Sequence, residues 1–119
     1  MSSHEIKSVL GTNEAGNKVF IGIYEKNIQY YSDTATATIT ISVYEDAKAG
    51  RQFIDSLRVR LEPDYLTGSM GLTTDQLSGD IDAMKPMIID AVIAILKATY
   101  KQNRGTFPKK EIVWSERAK

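Results

Sequence analysis

Side chains that do chemistry near neutral pH are scarce in this sequence. It has one histidine, His4, and no cysteine. Without cysteine there is no thiolate nucleophile, no disulfide, and no thiolate-ligated zinc or iron–sulfur centre. His4 lies too close to the chain start to be held against a serine, so a Ser–His relay has no framework. The carboxylates pair poorly. Asp80 and Asp82 are two apart on an expected helix and point to different sides of it. Glu45-Asp46 reads as a turn. The segment Gly68-Ser69-Met70-Gly71-Leu72-Thr73-Thr74 runs into a helix start but lacks the lysine and spacing of a phosphate-binding loop. The residues therefore predict a non-enzymatic protein with no catalytic, metal or cofactor site.

Binding chemistry has more to work with. Between Thr34 and Tyr44, Ala35, Ala37, Ile39, Ile41 and Val43 share one parity, and Thr34, Thr36, Thr38, Thr40, Ser42 and Tyr44 share the other. Period-two alternation over that length specifies a strand with one dry and one wet face. Arg51 to Leu61 returns beside it, with Phe53, Leu57, Val59 and Leu61 on the dry parity, interrupted by Asp55. Ser56, Arg58 and Arg60 are on the wet parity, interrupted by Ile54. A polar sheet face bearing Thr38, Thr40, Tyr44, Arg58 and Arg60 has the elements of a single-strand nucleic-acid site, with cations for phosphates and a ring for bases. Threonine also has high strand propensity, so the same pattern describes a plain solvated face.

These residues need a frame. Strands are predicted at Ile6 to Leu10, Lys18 to Tyr24, Ile28 to Tyr31, Thr34 to Tyr44 and, over a start that also fits a helix, Arg51 to Leu61. Pro63 ends the run. Thr73 or Thr74 caps a short helix to about Met84, and a longer helix runs from Pro86 to Asn103. Glu111 to Trp114 is a candidate last strand. The expected fold is α+β: an N-terminal antiparallel sheet of about four strands followed by one short and one long helix. Its element order over roughly residues 18–103 resembles the Whirly class of single-strand binders, with no motif in common; that resemblance implies nucleic-acid binding on the sheet.

The long helix carries unusual apolar surface. Between Met87 and Tyr100 only Asp90 and Lys97 are charged, and with Ala94 and Lys101 they make one narrow stripe. Ile88, Val92 and Ile95 follow one side; Ile89, Ile93, Leu96 and Tyr100 follow the next. Together they exceed the stripe that a small sheet covers. Each large aliphatic left in water forgoes ~1.5–3 kcal/mol. These seven residues are therefore the expected homo-oligomer interface, with the chain's own segment from Phe107 to Trp114 as the competing cover.

Length and charge set the remaining bounds. The 119 residues suit a single domain, with a flexible start at 1–5 and a basic tail at 104–119. The net charge is +0, which gives no long-range attraction to nucleic acid or anionic lipid. Charge is nevertheless split. Residues 62–90 carry one basic side chain against six acidic ones, and residues 91–119 carry seven basic against two acidic. Opposed ends of this kind suit stacking of copies in a ring or particle. The N-terminus is polar and Met87 to Leu96 is too short to cross a bilayer at ~20 residues, so a cytoplasmic protein, or one in a particle assembled there, is expected. The sequence thus predicts a self-associating assembly subunit, such as a virion component or another ring-forming part, with single-stranded nucleic-acid binding as the alternative.

Overall fold

Alternation decides the sheet. A computed structural model describes residues 5–79, 81–107 and 109–116. Its strands are β1 (Glu5–Thr12), β2 (Lys18–Tyr24), β3 (Ile28–Tyr31), β4 (Thr36–Ala47), β5 (Gly50–Leu61) and β6 (Glu111–Trp114). Helices α1 (Thr74–Ser78) and α2 (Lys85–Gln102) lie between β5 and β6.

All six strands form one mixed sheet in the order β1-β2-β4-β5-β6, with β3 also on β4. The expectation of about four antiparallel strands is overturned. The sheet is larger, and it is mixed because β6 runs parallel to β5, with Arg58 opposite Glu111 and Leu61 opposite Trp114. The segment read as a basic tail contributes this strand. A parallel neighbour requires a crossover, and α2 supplies it. His4, Asp80, Arg117 and Lys119 lie outside the described residues.

β2 and β3 lie end to end along the same edge of β4. Lys18 to Gly22 oppose Asp46 to Ser42, and Ile28 to Tyr31 oppose Ile39 to Thr36. The helical turn Glu25–Asn27 is spliced into what is otherwise one strand line. β4 begins two residues later than the alternation suggests, because Ala35 takes a left-handed φ of 51° in the preceding turn.

The strand reading of β5 holds over its whole length, but its phase does not. Tyr44 pairs with Phe53 and Val43 with Asp55, so Ile54 is an extra residue in a bulge. A bulge reverses the parity of everything before it. Phe53, expected on the dry face, is turned to the other side.

The core lies between one sheet face and α2. Ile21, Ile23, Ala37, Ile39, Ile41, Val43, Leu57, Val59 and Leu61 are buried on the sheet side. Ile88, Ile89, Val92, Ile95, Leu96 and Tyr100 are buried on the helix side, and Ile93 is half-buried. These are the residues expected at a subunit interface. The chain covers them itself: the sheet, together with Leu66, Leu72 and Met84, forms one core cluster with them, and Phe107, Ile112 and Trp114 pack against it. What α2 leaves to solvent is Pro86, Met87, Asp90, Ala94, Lys97, Ala98, Lys101 and Gln102. Phe107 packs on Tyr100 at 5.4 Å between ring centroids, and Trp114 packs against the core from β6.

Before α2, Leu66, Leu72 and Met84 plug the core. Leu66 sits in a wide turn closed by Met70 N donating to Tyr65 O at 3.1 Å. Thr73 caps α1 with a reciprocal box: its hydroxyl accepts from Gln76 N and its own N–H donates to Gln76 Oε1. No described helix is long and apolar enough to cross a membrane.

Candidate functional site

The opposite face of the sheet has no helix on it among the described residues. The molecule measures 48 × 38 × 18 Å, and the short dimension is one sheet plus one helical layer. Side chains on this face are set by strand pairing, since directly opposed residues share a face.

One row crosses four strands. Val9 opposes Phe20, Phe20 opposes Tyr44, and Tyr44 opposes Phe53. The Phe20 and Tyr44 rings stack at 5.5 Å with planes 28° apart, and Phe53 meets Tyr44 edge-on at 6.0 Å. The Arg51 guanidinium lies 4.2 Å from the Tyr44 ring centroid, an attractive cation–π contact. Phe20 is nearly enclosed by its neighbours, while Val9 is 50% and Phe53 61% exposed. The row is a ridge, most exposed at its two ends.

Alongside it, about 7 Å further along the strands, runs a row of small residues. Gly22 opposes Ser42, and Ser42 opposes Ser56, with Lys7 beyond Gly22 on β1. This second row is a shallow trench parallel to the ridge.

Beyond the trench lies a polar trough of about 350 Å³. Thr36, Thr38, Thr40, Arg58 and Arg60 line it, with Tyr31 from β3 and Glu111 from β6. It forms where the Glu25–Asn27 turn interrupts the strand next to Thr40. The expected nucleic-acid residues thus divide: Thr38, Thr40, Arg58 and Arg60 share the trough, whereas Tyr44 belongs to the aromatic ridge. Tyr44 is not free to stack on a base, being flanked by Phe20 and Arg51. Arg60 donates through Nη2 to Glu62 Oε1 at 2.7 Å. That bond, with the Glu62 charge, raises the guanidinium pKa further. With Glu62 on Arg60 and Glu111 opposite Arg58, the trough has little net positive charge.

Among the described residues, no group of three or more His, Asp or Glu is gathered where it could hold a metal ion. Sequence reasoning missed Phe53 and the ridge it completes. The signal was present: Asp55 on the apolar parity next to Ile54 on the polar parity is what a one-residue bulge leaves in a sequence.

The chain matches no family model, no curated protein and no solved structure, so its function is argued from this face.

Proposed function

We propose that the chain is a non-catalytic assembly subunit that binds further copies of itself through the uncovered sheet face. The observation that carries this reading is the ridge Val9–Phe20–Tyr44–Phe53 lying parallel to the trench Gly22–Ser42–Ser56. A two-fold axis placed between the two rows sets the ridge of each copy into the trench of the other. Such a contact is self-complementary, which is the requirement of an isologous interface. Sheets packed face to face sit ~10 Å apart with interdigitating side chains, and a ridge one aromatic ring high fills that gap. Val9 and Phe53 at its two ends are also large apolar side chains open to water, as at an interaction site.

Light scattering behind size exclusion tests this. The full chain should be larger than a monomer at micromolar concentration. Phe53→Ser, which lowers the ridge, and Ser56→Trp, which fills the trench, should each shift it toward monomer while the monomer stays folded, Phe53→Ser losing only the edge contact to Tyr44. A full chain that stays monomeric at high micromolar concentration defeats the proposal.

The polar trough favours a second reading, single-stranded nucleic acid bound along Thr36, Thr38, Thr40, Arg58 and Arg60. A labelled oligonucleotide in the same sample tests it. Binding that weakens with salt and disappears in an Arg58→Ala/Arg60→Ala double variant supports this reading. No binding at ~50 mM salt, where phosphate contacts are strong, removes it.

A further inference from the structure

On the helix side of the sheet, beyond the last turn of α2, a cleft of about 290 Å³ opens between the β4–β5 hairpin and the segment after the helix. Its walls are apolar: Val19 and Val43 form the floor, Ile54 one side, and Phe107 the other. Two carboxylates stand on the same floor. Glu45 opposes Val19 across β2–β4, and Asp55 opposes Val43 across β4–β5. Neither lysine nor arginine lines the cleft.

The third polar group is the Tyr100 hydroxyl. Tyr100 is 7% exposed and lines the cleft. Its ring passes under Gly11, and its hydroxyl ends beside Gly105, 3.6 Å from where a Cβ there would stand. That hydroxyl is turned toward the cleft and makes no hydrogen bond to another described residue. A buried phenol ring with its oxygen at a cleft offers an apolar wall and one polar handle. Burial, and then the nearby Glu45 charge, raise its pKa.

The existing contacts of the carboxylates leave room for a guest. Glu45 Oε2 accepts from Asn17 Nδ2 at 2.7 Å, which fixes its position. Asp55 Oδ1 accepts from Ser56 N at 2.8 Å and is 3.7 Å from the exposed Lys110 Nζ. The C-terminal end of α2 adds partial negative charge at the same place.

We infer that this cleft binds a small organic ammonium: a protonated amine on a compact apolar body. The ammonium sits between Glu45 and Asp55 and meets the Tyr100 oxygen. The apolar body lies on Val19, Val43 and Ile54, against Phe107. The volume is at the low end of small-molecule sites, which run ~300–1,000 Å³, so the guest is about the size of one amino-acid side chain. A free amine and a lysine side chain of a polypeptide share this chemistry.

Amide-resolved NMR titration of the full chain separates the outcomes. The probes are phenethylamine, the neutral isostere 2-phenylethanol, and Nα-acetyl-lysine methylamide. Phenethylamine should shift the amides of Val43, Glu45, Ile54 and Thr106, and 2-phenylethanol should need about tenfold more for the same effect, the weight of a charge-assisted hydrogen bond. Glu45→Gln and Asp55→Asn should each weaken the amine about tenfold and leave the alcohol unchanged, a pattern that lost folding would not give. Tighter binding of the lysine derivative supports the site and assigns its source to a polypeptide; tighter binding of phenethylamine assigns it to a free amine. Equal affinity for amine and alcohol, or shifts confined to carboxylates outside the cleft, overturns the inference.

Discussion

Tyr44 stacks on Phe20 across the β2–β4 ladder, ring centroids 5.5 Å apart and planes at 28°. Neither ring belongs to the core between sheet and helix. They stand on the outer face, and Phe20 is nearly buried there only because Val9 and Tyr44 flank it. Tyr44→Ala should remove this stack, the edge contact to Phe53 and the Arg51 contact together. A loss of about 1–2 kcal/mol in urea unfolding is expected from two ring pairs. Phe53→Ser, at the exposed end of the row, removes only the edge contact and should cost the monomer less, about 0.5–1 kcal/mol.

The two faces of β4 should respond oppositely to charge. Ile39 is 1% exposed, and Ile39→Asp places an unpaired carboxylate in the core, at a cost of several kcal/mol. Thr38→Asp, on the outer face opposite Arg60, should change stability by less than about 1 kcal/mol. Denaturant unfolding of the two variants checks this, and equal damage would contradict the register.

Ala94 and Lys97 lie on the solvated stripe of α2. Ala94→Glu should leave both stability and any self-association of the chain unchanged. A variant that dissociates the assembly from this position would return the interface to the helix and away from the sheet face.

Ala35 sits at φ 51°, where an L side chain crowds the backbone. Ala35→Gly relieves this and should stabilise the chain by up to about 1 kcal/mol, less whatever the extra freedom of glycine costs in the unfolded state. Thermal unfolding measures the difference.

Stability should fall at alkaline pH. Burial raises the pKa of Tyr30 and Tyr65 above the ordinary 10.0, and burial followed by Glu45 raises that of Tyr100. Each phenol therefore releases its proton more readily from the unfolded chain. Their contribution is complete below pH 10.0 and is lost as pH rises through the folded-state values. The Tyr30 hydroxyl is buried with no partner, so Tyr30→Phe should flatten this loss and be neutral or stabilising by about 1 kcal/mol near pH 7. Urea unfolding across the alkaline range checks both.

How much of this was legible in the sequence depended on whether the signal was local. The alternation of Ala37, Ile39, Ile41 and Val43 against Thr36, Thr38, Thr40 and Ser42 specified β4 and its dry side. The Thr73 cap and Pro86 placed the starts of α1 and α2. The partner of α2 was not legible, because Ile88, Val92 and Leu96 carry no mark of whether a neighbour is wide or narrow; sheet width is a property of pairing between distant segments. Glu111–Trp114 could be read as a strand but not as a parallel member of the same sheet. Phe53 was misplaced because parity was carried straight through Ile54. The cleft at Tyr100 joins four separated segments, and nothing in any one of them announces it.

The parallel seating of β6 has a consequence for synthesis. Residues 5–61 can complete their antiparallel pairing before α1 and α2 are made, since every partner lies within that segment. The outer backbone edge of β5 at Arg58 to Leu61 has to wait for residues 111–114, which are made only after α1 and α2. Non-local parallel pairing is the slow kind. A nascent chain stalled before Glu111 therefore presents an unsatisfied strand edge beside Leu57, Val59 and Leu61. Truncated products ending in that interval should be the aggregation-prone ones in a cell, and a chaperone acting on this protein would act in that window.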